Sequence, residues 1–201
     1  MKIEVERITE YQKLTIIKGL YDYQYIMNNW KNHKNADFIQ VYYSFYLSAR
    51  GGIMRKETNQ KPYFDKLREC SPNDDLIKII CDLKEKMENG SFEFSLATKL
   101  LHTINPTVPI YDSKVKEYLS MNEEVEFWWY RKKGMYGKPA KSGVTEIQKI
   151  EHDWNELNKW YSVFLLSERG KKWIEWFDLN FTDFIDISNV KKVDFIIYAT
   201  H

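Results

Sequence analysis

An all-α fold is what this sequence predicts, and three observations carry it. Apolar residues recur at three- and four-residue spacings through most of the chain. Capping residues stand just before these runs, and Gly or Pro stands just after them. With 201 residues, 43% hydrophobic and 29% charged, the chain is large enough to bury a proper core. The expectation is one mostly helical domain over 1–201, with 131–143 as the place where it would divide into two lobes.

The elements follow in order. Over 37–50, Phe38, Val41, Tyr42, Phe45 and Tyr46 share one face, with Asp37 as the expected N-cap and Gly51-Gly52 as the stop. A helix over 61–70 ends before Ser71-Pro72. A third, over 75–88, turns Leu76, Ile79, Ile80 and Leu83 inward and ends at Asn89-Gly90. A fourth, over 92–104, meets Asn105-Pro106-Thr107-Val108-Pro109, where two prolines fix a rigid extended connector. A short helix over 112–121 follows.

The stretch 131–143 holds three glycines and a proline and reads as a hinge loop. A long amphipathic helix spans 145–166. Gly170 is expected to interrupt before a helix over 171–181 that carries Trp173, Trp176 and Phe177. The segment 188–198 contains VDFIIY, which suits a buried strand by propensity and a helix by context.

Composition excludes several functions. Net charge is +1, so no global basic field marks a nucleic-acid partner, although a local patch is compatible with one. Cys70 and Cys81 show no CxxC, and the four His residues show no HxxxH or HExxH spacing. Metal chemistry on Cys or His is therefore not expected, and no cofactor is. Charges crowd the N-terminus and no run of eighteen apolar residues occurs. The reading is a cytoplasmic protein with no membrane segment. Aromatics reach 16% with seven Trp, which serves either a core of large flat side chains or stacking platforms for bases.

The segment 94–119, FSLATKLLHTINPTVPIYDSKVKEYL, carries the most specific signal. A helix ends, a proline-bounded loop runs through Pro109-Ile110-Tyr111, and Asp112 opens the next helix. A fixed carboxylate beside a sugar stabilises the positive charge that builds as a base leaves, and orients the attacking water. A helix N-terminus favours the negative form of such a group. The same Asp is also an ordinary N-cap.

The run Pro109, Ile110, Tyr111, Asp112, Ser113, Lys114, Val115 resembles the P-(V/I)-x-D-x-x-V pattern of helix–hairpin–helix–GPD DNA glycosylases, of the 8-oxoguanine DNA glycosylase-fold superfamily. A bacterial family of similar length carries a comparable segment and a similar C-terminal ending, with no agreed activity. The resemblance implies a DNA glycosylase with Asp112 as catalytic residue and DNA as partner. A base would be extruded from the duplex. Tyr111, Trp128 and Trp129 would stack on it, and His102 would line the pocket.

Two departures qualify what is implied. The family's hairpin reads Leu-Pro-Gly-Val-Gly, whereas here Asn89-Gly90-Ser91-Phe92-Glu93 keeps one glycine and puts Glu93 near the phosphate position. The nucleophilic lysine of bifunctional members is replaced by Glu93 or Phe94, so the resemblance is to the monofunctional, water-using kind. Lys99 is read instead as a surface or phosphate-contacting residue.

The stretch 126–141, EFWWYRKKGMYGKPAK, interleaves Arg131, Lys132, Lys133, Lys138 and Lys141 with aromatic rings, a composition that suits backbone contact and base stacking. It equally suits a solvated loop beside buried tryptophans. Glu123, Glu124 and Glu126 could mark a metal-dependent nuclease, but the strand spacing such enzymes use is missing. The second functional reading is a nucleic-acid- or protein-binding module that keeps the fold without the chemistry.

Overall fold

The computed structural model describes residues 3–32, 35–47, 51–129 and 143–200, and among them every regular element is a helix. The chain forms two compact units. One comprises Met1–Ile16 and Pro106–His201, the other Ile17–Asn105. Helix α1 (Glu10–Asn29) runs through that first division. The lobe boundary expected at 131–143 lies almost entirely outside the described residues.

In the unit Ile17–Asn105, α2 (Ala36–Tyr42) passes into a π-helical turn, Tyr43–Leu47, and is followed by α3 (Gly51–Met54), α4 (Glu57–Glu69), α5 (Leu76–Lys86) and α6 (Phe94–Ile104). Asn35, rather than Asp37, caps α2, accepting from the Asp37 N–H at 2.9 Å. Gly51-Gly52 opens α3, and residues 48–50, where the expected helix would end, lie outside the described residues. Helix α4 starts earlier than the sequence suggests, leaving Pro62 inside it. That earlier start is secured from outside the helix. The Thr58 hydroxyl donates to Glu88 Oε2 at 2.7 Å, and Asn59 Oδ1 accepts from the Glu88 N–H at 2.8 Å. Asp75 caps α5 through the Ile77 N–H at 2.7 Å.

Helix α6 is the centre of this unit, buried at all eleven positions. A helix that is apolar on only part of its surface and yet buried all round must pair its polar groups internally. Tyr42, Tyr63 and Thr103 do so: Tyr42 Oη lies 3.0 Å from Tyr63 Oη and 3.2 Å from Thr103 Oγ1, and Tyr63 donates to the Leu96 carbonyl at 3.1 Å. Burial pushes the Tyr42 hydroxyl up to about 12.

The other unit contains α7 (Ser113–Met121), α8 (Glu146–Leu166), α9 (Glu168–Asn180) and α10 (Asn189–Thr200). Thr145 and Gln148 form a reciprocal capping box at the start of α8. The break between α8 and α9 falls at Ser167, which caps α9 through the Gly170 N–H at 3.0 Å. Gly170 therefore lies inside the first turn of α9 and does not interrupt it. Its role is space: a Cβ there would stand 1.9 Å from the Phe164 carbonyl oxygen.

VDFIIY is helical, in α10, and residues 190–197 are all buried. Helices α7, α8 and α9 all pack against α10, which is why a strand-like composition is accommodated as a helix. Trp173 fills this core, 5.0 Å from Phe164 and 6.1 Å from Tyr118 between ring centroids. Among the described residues no helix is long and apolar enough to cross a membrane.

Candidate active site around Asp112

Asp112 stands at the N-cap of α7 in extended backbone conformation, and its Oδ1 accepts from the Val115 N–H at 2.9 Å. The turn ahead of it is tight, with the Asp112 N–H donating to the Ile110 carbonyl at 3.2 Å. The carboxylate is half-buried, and among the described residues Oδ2 accepts no hydrogen bond. One oxygen is thus spent on the helix end. The connector before it is not fully extended: it contains a turn at 106–107. The Ser188 hydroxyl donates to the Pro106 carbonyl at 2.6 Å, tying the start of this connector to the head of α10.

The same unit holds a buried polar cluster that the sequence reading did not single out. The Tyr161 hydroxyl, from α8, donates to Asp194 Oδ1 at 2.8 Å. The Lys191 ammonium stands 3.1 Å from Asp194 Oδ2, one turn away on α10. Tyr161, Lys191 and Asp194 are all buried. Burial pushes the Asp194 carboxyl above the usual carboxylate range. The Lys191 charge opposes that rise and the negative charge of Asp112 adds to it. Burial first, then Asp194, holds the Tyr161 hydroxyl well above its ordinary value, so it stays a donor.

A second buried carboxylate organises the segment after α7. Asp153, on α8, is fully buried and accepts the Tyr111 hydroxyl at 2.6 Å, the Trp128 N–H at 2.5 Å and the Trp129 N–H at 2.9 Å. His152 Nδ1 lies 3.2 Å from the same carboxylate, and the His152 ring stacks on Trp128 at 3.5 Å between centroids. Tyr111 is itself buried, with the Phe127 ring edge-on at 5.5 Å and the Lys116 ammonium over it at 4.4 Å. Its ring is a packed side chain here, not an open stacking platform. Trp128 and Trp129 are half-buried.

The remaining expected residues divide. His102 belongs to the other unit, is fully buried, and its Nε2 lies 3.1 Å from the Tyr23 hydroxyl. Lys99 corrects the surface expectation. It is 7% exposed, because every face of α6 is buried, and its ammonium donates to the Tyr46 carbonyl of the π-helical turn at 2.8 Å. Glu93 is also buried, and its Oε1 accepts from Asn89 Nδ2 at 2.7 Å and the Ser91 hydroxyl at 2.5 Å. These bonds close the turn at Gly90, which has φ +55°. Arg131, Lys132, Lys133, Lys138 and Lys141 lie outside the described residues.

Glu124 serves structure: it accepts the Trp160 indole N–H at 2.6 Å and two bonds from Arg169 at 2.8 and 2.7 Å. Among the described residues no group of three or more His, Cys, Asp or Glu is arranged to hold a metal ion. A shallow groove lined by Leu165, Ile174, Leu179 and Ile185 involves none of the expected site residues.

The Asp194–Lys191–Tyr161 cluster had a legible signal. The stretch Lys191-Lys192-Val193-Asp194 opens an apolar run, and charges inside a helix buried all round must be paired. Comparison with family models, with curated proteins and with solved structures finds no match to this chain.

Proposed function

We propose that this protein is a DNA glycosylase-like enzyme of the helix–hairpin–helix–GPD kind, hydrolysing the N-glycosidic bond of a modified or damaged base with a water activated by Asp112. The observation that supports it best is the state of that carboxylate. Asp112 is pinned through one oxygen at a helix N-terminus, half-buried, with its second oxygen unbonded among the described residues. In such a place a carboxylate stabilises a developing oxocarbenium charge and orients water with little reorganisation. No lysine nucleophile enters the mechanism. Hydrolysis by water transfers its hydroxyl to the sugar carbon and its proton to the departing base, leaving an abasic site.

A second reading is favoured by the burial of Tyr111 and His102, which withdraws two of the four expected base contacts. In it the chain is a nucleic-acid- or protein-binding module without the chemistry. Abasic-site formation on duplexes carrying oxidised, deaminated or alkylated bases separates the two. Release of a base supports the hydrolase. Salt-dependent duplex binding without release, on the whole panel, supports the module.

A further inference from the structure

Helix α9 carries two stripes. Trp173 and Phe177 are buried in the core, whereas Lys171, Ile174, Glu175, Asp178 and Leu179 recur at i, i+3, i+4, i+7 and i+8 on another face. That second stripe lines an open groove together with Leu165 of α8, Ile185 of the turn after α9, and Asn189, the first residue of α10. All of these residues belong to the unit that holds α7 to α10. The groove has the volume of a ligand pocket, about 620 Å³, but it is shallow and would leave a small molecule largely wetted. Leu179 is 73% exposed and Ile185 55%. Large apolar side chains lining one groove and left this open gain most when another chain covers them.

The charges decide which chain that is. Lys171 donates to Glu168 at 3.0 Å and Lys192 is bound to Asp178 at 2.6 Å, so these two cations are already offset. Glu175 lines the groove, and Asp183 and Asp186 flank Ile185 in sequence; all three are exposed, and among the described residues none forms an ion pair. An apolar floor with an uncompensated negative rim complements a segment that carries Lys or Arg beside its apolar residues. The same rim repels the phosphates of a nucleic acid and an anionic lipid surface. From Lys171 to Leu179 the stripe runs about 12 Å, two helical turns, which suits a partner helix with apolar anchors at i, i+3 or i+4, and i+7.

We propose that this groove is a docking site for a basic amphipathic helix of a partner protein. Leu165, Ile174, Leu179 and Ile185 receive its apolar face, and Glu175, Asp183 and Asp186 receive its cations. The site uses neither Asp112 nor the residues around Asp153, so it stands whether or not the protein releases bases.

The test titrates the full-length protein with a synthetic peptide of roughly fifteen residues, long enough to form a helix in water, with Leu on one face and Lys on the other. A matched peptide has Glu in place of every Lys. Affinity is read by fluorescence anisotropy, and the place of binding by backbone amide shifts in NMR. The lysine peptide is expected to bind at least about tenfold more tightly than the glutamate peptide, moving amides of α9 and of 185–189. Leu179→Ser and Ile185→Ser, at exposed positions where substitution seldom disturbs a fold, are each expected to weaken binding by about tenfold. Val163→Ser, at an exposed apolar position of α8 outside the groove, is expected to leave it unchanged. Glu175→Gln with Asp183→Asn and Asp186→Asn is expected to flatten the salt dependence of the affinity. Equal affinity for the two peptides overturns the basic partner. Wild-type affinity in both serine variants, amide shifts centred elsewhere, or no binding of the lysine peptide overturns the site. Duplex DNA that shifts these same amides assigns the face to nucleic acid and overturns the proposal as well.

Discussion

Tyr111 donates its hydroxyl to Asp153 at 2.6 Å, so the residue just before Asp112 is bolted to the middle of α8. The same carboxylate accepts the backbone N–H groups of Trp128 and Trp129. One buried acid therefore fixes both the approach to Asp112 and the aromatic segment that follows α7.

Asp153→Ala is expected to cost about 3–5 kcal/mol, because it strands three donors at once, one of them fully buried. Tyr111→Phe removes one of them and is expected to cost about 2 kcal/mol. Urea denaturation measures both. Equal and small losses would mean that the carboxylate does not organise the segment.

Gly170→Ala is expected to destabilise by about 2 kcal/mol, the scale of an overpacked site. The new Cβ would meet the Phe164 carbonyl oxygen at 1.9 Å and the Phe164 carbonyl carbon at 2.8 Å, backbone atoms that cannot swing aside. A denaturation midpoint at or above that of the wild type would contradict the close approach of α8 and α9.

Lys99→Met is expected to leave the salt dependence of duplex binding unchanged, since the ammonium is spent on the Tyr46 carbonyl. Its effect belongs in stability. A loss of about one unit in the slope of log affinity against log salt would instead mark a phosphate contact.

Stability is expected to fall as pH rises from 10 towards 12. The Tyr42 hydroxyl, ordinarily at 10.0, is raised to about 12 by burial, with its bonds to Thr103 and Tyr63 opposing part of the rise. Between those values the folded chain holds a proton that the unfolded chain has lost, so the tyrosine's contribution is full below pH 10 and disappears through 12. Tyr118 is raised to about 12 as well, and burial pushes Tyr63 in the same direction. Urea midpoints across pH 8–12 check the slope, which Tyr42→Phe should make shallower.

Most helices were legible because capping chemistry and periodicity agreed, as at Asp75 with α5 and at Thr145 with α8. The failures have particular causes. Gly51-Gly52 reads as a stop because glycine ends helices, yet here it begins the short α3. Gly170 reads as a break, whereas its small size serves the contact with Phe164 and Ser167 makes the break. At the site, Asp112 was legible as a cap with a motif around it. Lys191 and Asp194 left a signal, as paired charges inside an apolar run, but their meeting with Tyr161, and that of Asp153 with Tyr111, did not, because those partners are far apart in sequence and each looks like part of a helix face.

The proposed role of Asp112 is tested most directly by single-turnover base release from a duplex panel by wild type beside Asp112→Asn, with folding and duplex affinity checked for both. Release by the wild type is expected to drop by about a hundredfold or more in Asp112→Asn at unchanged affinity. Release that persists at the wild-type rate in Asp112→Asn would contradict it.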